Sequence, residues 1–179
     1  MKIAIFPGHV GKDPGAVDKV QEQELDTLMS IEAVINGQVA VLLKHCLDKE
    51  GVDCAIHIGS FENRLKESLG ASFGISLHCD SCTDNKAHGF TVFHHPTSAT
   101  GQLMAGQLHR ELLDSLQGTI LSRGVQSHPH YVMLFKTKFP CLLLEMGFLS
   151  NPADEKQLNC YETQMKIVDG ILNFTDNLN

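Results

Sequence analysis

The sequence is short of positive charge. Fourteen Lys and Arg stand against 21 Asp and Glu, a formal net charge of −7 over 179 residues. That deficit argues against a nucleic-acid groove and against a basic membrane-binding face. Long apolar runs are also missing, and none approaches the roughly 20 residues needed to cross a bilayer. The opening MKIAIFPGHVG has only about five apolar residues before Pro7-Gly8, too few for the core of a signal peptide. Repeats, low-complexity tracts and linkers are absent, so residues 1–179 are expected to form a single domain. Without a secretory signal, the six cysteines (Cys46, Cys54, Cys79, Cys82, Cys141 and Cys160) are expected to stay reduced. Cys46 and Cys141 fall inside apolar patterns, where a thiol acts as a small hydrophobe. Cys79 and Cys82 form a lone CxxC, a weak metal signal by itself.

What is present is an alternation of strand-like and helix-like segments. Strands are predicted at 2–6, 52–57, 73–78, 89–95, 131–135 and 140–145. Helices are predicted at about 28–48, 61–69, 99–116, 153–158 and 161–177. A Gly-rich loop covers 7–18, a polar loop 79–88, and a loop with Arg123-Gly124 and Pro129 covers 117–130. Ser60 reads as an N-cap and Gly70 as a helix stop. This order implies a three-layer α/β/α sandwich, with a mixed, mostly parallel sheet of about five or six strands flanked by helices.

The stretch FPCLLLEMGFLSN (139–151) is the most informative. Cys141 to Leu144 is an unbroken apolar run, as in a strand buried on both faces, and it ends in Glu145. KIAIF (2–6) leads through Pro7-Gly8 to His9, and FGISL (73–77) runs into His78. Two imidazoles and a carboxylate therefore converge on the carboxyl edge of the sheet, where open α/β folds bind ligands. Glu32 lies one turn before Ile35, Val39, Leu42 and Cys46, on the apolar stripe of the first long helix. A buried carboxylate there needs a positive partner such as a divalent metal. A first-turn Glu in solvent would suit the helix dipole equally well, and spacing alone does not choose between the two.

Hydrolytic zinc takes about three protein ligands and keeps an open position for water. His9, Glu32 and His78 supply such a set. Glu145, not bound to metal, is the candidate to move a proton from water to a leaving amine, and the apolar run before it tends to raise its pKa. The remaining histidines show no such pattern, and His94-His95 and His128-Pro129-His130 read as surface or loop residues.

These motifs resemble the zinc-dependent N-acetylmuramoyl-L-alanine amidases that cut bacterial peptidoglycan. PGHVGKDPGA (7–16) is similar to their metal-binding opening. EAVINGQVA (32–40) resembles their ligand-bearing helix, and FGISLHCD (73–80) the strand with the second His. HGFTVFH (88–94) and SRGV (122–125) resemble two further segments. PCLLLEMGFLSNPADEKQL (140–158) resembles their catalytic motif most closely. The resemblance implies one Zn2+ per chain on His9, Glu32 and His78, with Glu145 catalytic. It implies hydrolysis of the bond between N-acetylmuramic acid and L-alanine.

Asn36 and Asp80 match positions beside the metal, and Arg123 is a candidate contact for the anionic lactyl or peptide carboxylates. Glu22 and Glu24, between His9 and Glu32, compete for the carboxylate ligand; helix register and the Asn36 match favour Glu32. Peptidoglycan is the expected partner, with no nucleic acid or membrane, and a monomer is expected. Cytoplasmic synthesis followed by release onto the wall, as for a phage or prophage endolysin, is the expected setting. The alternative is a periplasmic or secreted host autolysin whose export segment lies outside this sequence. Other activities compatible with the residues are a zinc peptidase acting on stem peptides and a non-catalytic wall-binding module.

Overall fold

Among the described residues the chain forms six strands and six helices. The structure, a computed structural model, describes residues 1–10 and 31–178. In order they are β1 (Lys2–Pro7), α1 (Ile31–Lys49), β2 (Asp53–Ile56), α2 (Phe61–Glu67), β3 (Phe73–Asp80), β4 (Phe90–His94), α3 (Ala99–Leu116), β5 (Ser122–Ser127), α4 (Val132–Lys136), β6 (Cys141–Phe148), α5 (Pro152–Leu158) and α6 (Tyr161–Asp176). The strands form one sheet in the order β2-β1-β3-β6-β4-β5. The first four in that order are mutually parallel. β4 pairs antiparallel with β6, and β5 runs parallel to β4. The expected mixed, mostly parallel sheet of an α/β/α sandwich is what the chain forms.

The two faces of the sheet are covered unequally. On one face Ile3, Ile5, Ile75, Leu77, Leu142 and Leu144 pack with buried positions of α1, α3 and α6 in the larger core. α6 lies against both α1 and α3, and Gln164 Nε2 donates to Gln38 Oε1 at 2.9 Å. The other face carries Ala4, Phe6, Phe93, Cys141 and Leu143, and among the described residues the short α2 and α4 with their flanking residues cover it. No residue of α2 is fully buried. Among the described residues no helix is long and apolar enough to cross a membrane.

Local chemistry explains most element ends. Ser60 caps α2 by accepting from Asn63 N, and Gly70 follows in a left-handed conformation at φ +85°. Pro152 opens α5 beside Asn151, whose side chain accepts from Ala153 N and Asp154 N. In α3, Leu108, Leu112 and Leu116 form the buried stripe that their spacing predicts.

Three expectations are corrected. The segment 131–135 is not a strand: Val132–Lys136 is the short helix α4. Its apolar run buries only Met133 and Leu134 and leaves Val132 and Phe135 exposed. The missing strand lies in the stretch predicted as loop. β5 is polar because it is an exposed edge, so it carries no apolar alternation to read. It also bulges. Between Phe90↔Ser122 and Val92↔Val125, β4 has one residue and β5 has two, Arg123 and Gly124, with Gly124 at φ +84°. The stripe of α1 is also shifted, with Ile35, Val39, Leu43 and Leu47 buried while Leu42 and Cys46 flank it.

Candidate metal and proton-transfer site

The carboxyl edge of β1 and β3 collects the His/Glu/His set. β1 ends at Pro7, and Gly8 N donates to Leu77 O at 2.8 Å, tying the loop down on β3. His9 follows at φ +55°, a conformation that is uncommon outside glycine. His78 lies on β3. Its ring packs so closely over Gly8 that a Cβ there would sit 2.2 Å from His78 Cε1. Glycine is therefore required at position 8 by space rather than by φ.

Glu32 enters from the first turn of α1 and is 2% exposed. The solvent-facing alternative for this carboxylate is thus removed. Its Oε1 lies 3.3 Å from His78 Nδ1 and 3.8 Å from His9 Nε2, and the two rings meet edge-on at 5.0 Å. One ligand atom from each of the three residues falls within 4.8 Å of the others. Neutral imidazole and carboxylate donors at this spacing suit a divalent ion such as zinc, which accepts mixed N/O sets. Burial of Glu32 beside two neutral-capable imidazoles is the observation that favours such an ion. Glu22 and Glu24 lie outside the described residues, as do most of the 7–18 loop and the predicted start of the helix at 28–30.

A second layer of contacts fixes the carboxylate. Asn36, fully buried one turn after Glu32, donates through Nδ2 to Gly8 O at 3.2 Å and to Glu32 Oε1 at 3.4 Å. Cys79 N donates to the same Oε1 at 3.2 Å. Asn36 thus links the helix that carries Glu32 to the loop that carries His9, the kind of outer contact that orients metal ligands. Cys79 is buried with its thiol toward Asn36 Oδ1, whereas Cys82 is exposed. The CxxC is therefore not a paired site, and all six cysteines are free thiols.

Glu145 lies in register with His78 on the neighbouring strand β6 and opposite Thr91 on β4. Adjacent strands lie about 4.8 Å apart, so the two side chains emerge side by side on the thinly covered face. β6 runs on to Phe148, so Glu145 is within the strand rather than at its end. It is 7% exposed, and its Oε2 has no hydrogen-bond partner among the described residues. Burial first, and then the charges of Asp80 and Glu32, hold its pKa well above the usual carboxylate range. A carboxyl that keeps its proton unusually well can accept one and hand it on near neutral pH.

That raised pKa has a consequence for stability. The proton is held more tightly in the folded chain than in the unfolded one. In metal-free protein the folded state therefore loses stability as pH rises from the unfolded value, about 4.3, through the folded one. Glu145→Gln should stabilise the metal-free protein by about 1–3 kcal/mol at pH 7, the usual cost of a buried polar group without a partner. The gain should shrink towards pH 4. Urea melts in chelator at several pH values measure this, and a gain independent of pH would refute the titration argument.

The remaining candidates lie around this centre. Asp80 is half-buried, its Oδ1 accepts from Ser81 N at 2.8 Å, and burial raises its pKa. It does not join the three converging ligands. Arg123 is exposed on the β5 bulge, with its guanidinium 5.0 Å over the Phe148 ring and Nη1 donating to His88 O at 3.4 Å. His94, expected at the surface, is 7% exposed at the end of β4, where the first turn of α3 lies against it at Gly101.

A cleft of about 690 Å3 opens from His9 and His78 across the thin face, between the start of α2 and α4. Two of its residues were not foreseen. Tyr131 lines it, and the phenol's pKa is raised by burial and then by the charges of Glu145 and Asp80, which places it within their field. Its segment reads as a strand in the sequence, which hides this placement. Arg64 also lines the cleft, and nothing in an ordinary amphipathic helix marks it.

Residues 3–177 match the family model described as N-acetylmuramoyl-L-alanine amidase. The probable cell wall amidase LytH of Staphylococcus aureus is 30% identical over 183 residues, covering 94% of this chain and 56% of that protein. The chain therefore spans about half the length of the curated relatives it matches. In solved structures, the fold is shared with the N-acetylmuramoyl-L-alanine amidase AmiC2 of Nostoc punctiforme, at a TM-score of 0.85 and 20% identity, covering 99% of this chain and 96% of that one. It is also shared with the catalytic domain of CwlV from Bacillus (Paenibacillus) polymyxa var. colistinus, at 0.82 and 22%, covering 98% of each.

Proposed function

The chain belongs to the N-acetylmuramoyl-L-alanine amidase family, and from that premise we propose that it hydrolyses the amide bond between the lactyl group of N-acetylmuramic acid and L-alanine in peptidoglycan. Residues 1–179 act as one catalytic domain with one zinc ion, held by His9, Glu32 and His78. The observation that carries this reading is the convergence of those three side chains within 4.8 Å, beside the buried and raised carboxyl of Glu145. When bound, the ion supplies Lewis acidity that polarises the amide carbonyl and makes an attacking water more acidic.

The chain's own residues do the rest. Asn36 and the Cys79 amide hold Glu32 in place as a ligand. The ring of His78 is fixed by its packing over Gly8. Glu145 takes a proton from the attacking water and returns it to the alanine nitrogen as the C–N bond breaks. The reaction leaves an intact lactyl acid and a free L-alanine amine.

Digestion of purified sacculi followed by mass analysis tests this assignment. New L-alanine amino termini and unmodified disaccharides are expected, and products cut within the stem peptide would instead favour a zinc peptidase. The protein's site of action is the cell wall. Six free thiols favour folding in a reducing cytosol before release, in the manner of an endolysin; cytosolic expression that lyses cells without any membrane lesion would remove that part.

A further inference from the structure

One wall of the cleft carries a phenol that the chemistry above does not use. Tyr131 lines the cleft together with His9 and His78, and its ring is held from two directions. It stacks on His128 with centroids 3.8 Å apart and planes 21° apart, and it meets Phe93 at 5.2 Å and 88°. Its backbone is fixed as well, because Tyr131 O accepts from Leu134 N at 3.0 Å and from Phe135 N at 3.1 Å as α4 begins. Among the described residues no hydrogen bond engages its hydroxyl. Strand register locates this wall. Phe93 of β4 pairs with Leu143 of β6, and Thr91 pairs with Glu145. Phe93 is thus a diagonal neighbour of Glu145, within reach of an aromatic side chain. The charges of Glu145 and Asp80 add to burial in raising the phenol's pKa, which agrees with that placement. Across the sheet edge the order is therefore the metal ligands at β1, α1 and β3, then Glu145 on β6, then Tyr131 against Phe93 of β4.

We propose that Tyr131 binds the stem peptide, its hydroxyl donating a hydrogen bond to the carbonyl oxygen of the alanine residue, the next carbonyl beyond the scissile amide. This rests on the amidase reading above. In that reading the scissile carbonyl lies at the metal ligands and the scissile nitrogen lies at Glu145, which returns a proton to it. Continued in the same direction, the substrate reaches the alanine Cα and then its carbonyl, on the side where Tyr131 stands. A peptide carbonyl only accepts, and a phenol O–H is a neutral donor that can meet it. The His128 stack and the Phe93 contact hold the ring without using the hydroxyl, so the donor is in place before the substrate arrives. Because the alanine carbonyl does not change during the reaction, the contact serves ground state and transition state alike and belongs in KM.

The test pairs Tyr131→Phe, which keeps the ring and its stacking, with two soluble muramoyl substrates. One is the L-alanine methylamide. The other is the isopropylamide, which has the same branched carbon on nitrogen but no second carbonyl. On the methylamide the zinc-loaded variant should lose about 3–10-fold in kcat/KM, the usual value of one neutral hydrogen bond, with the loss in KM. On the isopropylamide wild type and variant should be equal. Comparing the two proteins on each substrate cancels the difference in leaving-group basicity. Should the isopropylamide resist cleavage, its inhibition constant against the methylamide replaces KM, and equal constants in the two proteins are expected. A variant indistinguishable from wild type on the methylamide would overturn the proposal. Equal losses on both substrates, or a loss confined to kcat, would also overturn it, because the hydroxyl would then act on the fold or on the reacting atoms. Each of these results leaves the amidase assignment standing. A wild type that cleaves neither substrate and leaves sacculi intact removes that assignment, and the proposal falls with it.

Discussion

Glu145→Ala should lower turnover of peptidoglycan by about 10²–10⁴-fold, the range for loss of a positioned acid–base group, while the purified protein keeps its zinc. The two halves of this expectation have separate structural origins. The proposed ligands come from the loop after β1, the first turn of α1 and the end of β3, and none of their contacts described above is a hydrogen bond from Glu145. The carboxyl itself is buried beside His78 with one oxygen uncommitted. It is thus available to hold a proton and is not occupied with supporting the fold. The defect should fall mainly in kcat, because the reacting proton rather than substrate affinity is affected. Metal analysis together with release of alanine amino termini decides the matter. A Glu145→Ala protein with near-normal turnover would strip Glu145 of its role, and one that loses zinc would make it a ligand instead.

The second large effect belongs to His78. Its replacement by alanine should abolish stoichiometric zinc binding and cut activity by more than the roughly 10–100-fold seen on removing an outer partner of a metal ligand. His78 is central because its Nδ1 lies nearer Glu32 Oε1 than His9 Nε2 does, at 3.3 against 3.8 Å, and its ring also meets His9. Without it, the buried Glu32 faces a single imidazole, too few donors for a tight four-coordinate site. Chelator should inactivate the wild type, and added zinc should restore it, but zinc should not rescue His78→Ala. A chelator-resistant wild type, or a variant that still binds one zinc per chain, would show that these three residues are not the metal site.

Much of this site was legible before any coordinates. Strands β1, β3 and β6 are buried on both faces, so they appear as continuous apolar runs, and each run points to the residue at its end. That is why His9, His78 and Glu145 stand out in the sequence as candidates. Glu32 is visible as an acid on an apolar stripe, although only its burial within the fold removes the solvated first-turn alternative. The unread parts share a physical cause. β5 is an exposed edge with no apolar period, and α4 is an apolar pentad whose length suits a strand as well as a turn of helix. Because the α4 segment reads as a strand, the sequence does not place Tyr131 at the cleft. Arg64 depends on a contact 57 residues away in sequence, with Pro7 O, and no local pattern encodes that.

The bulge in β5 has one more consequence. A flat outer strand with free amides and carbonyls invites another chain to zip onto it, the first step towards fibrils and precipitation. Here β5, one of the two outer strands of the described sheet, reads SRGVQS, twisted by an extra residue at Arg123-Gly124 and carrying a cation at the kink. That border is poorly suited to templating a copy of itself. The protein should therefore tolerate crowding on an insoluble polymer without coalescing along this rim.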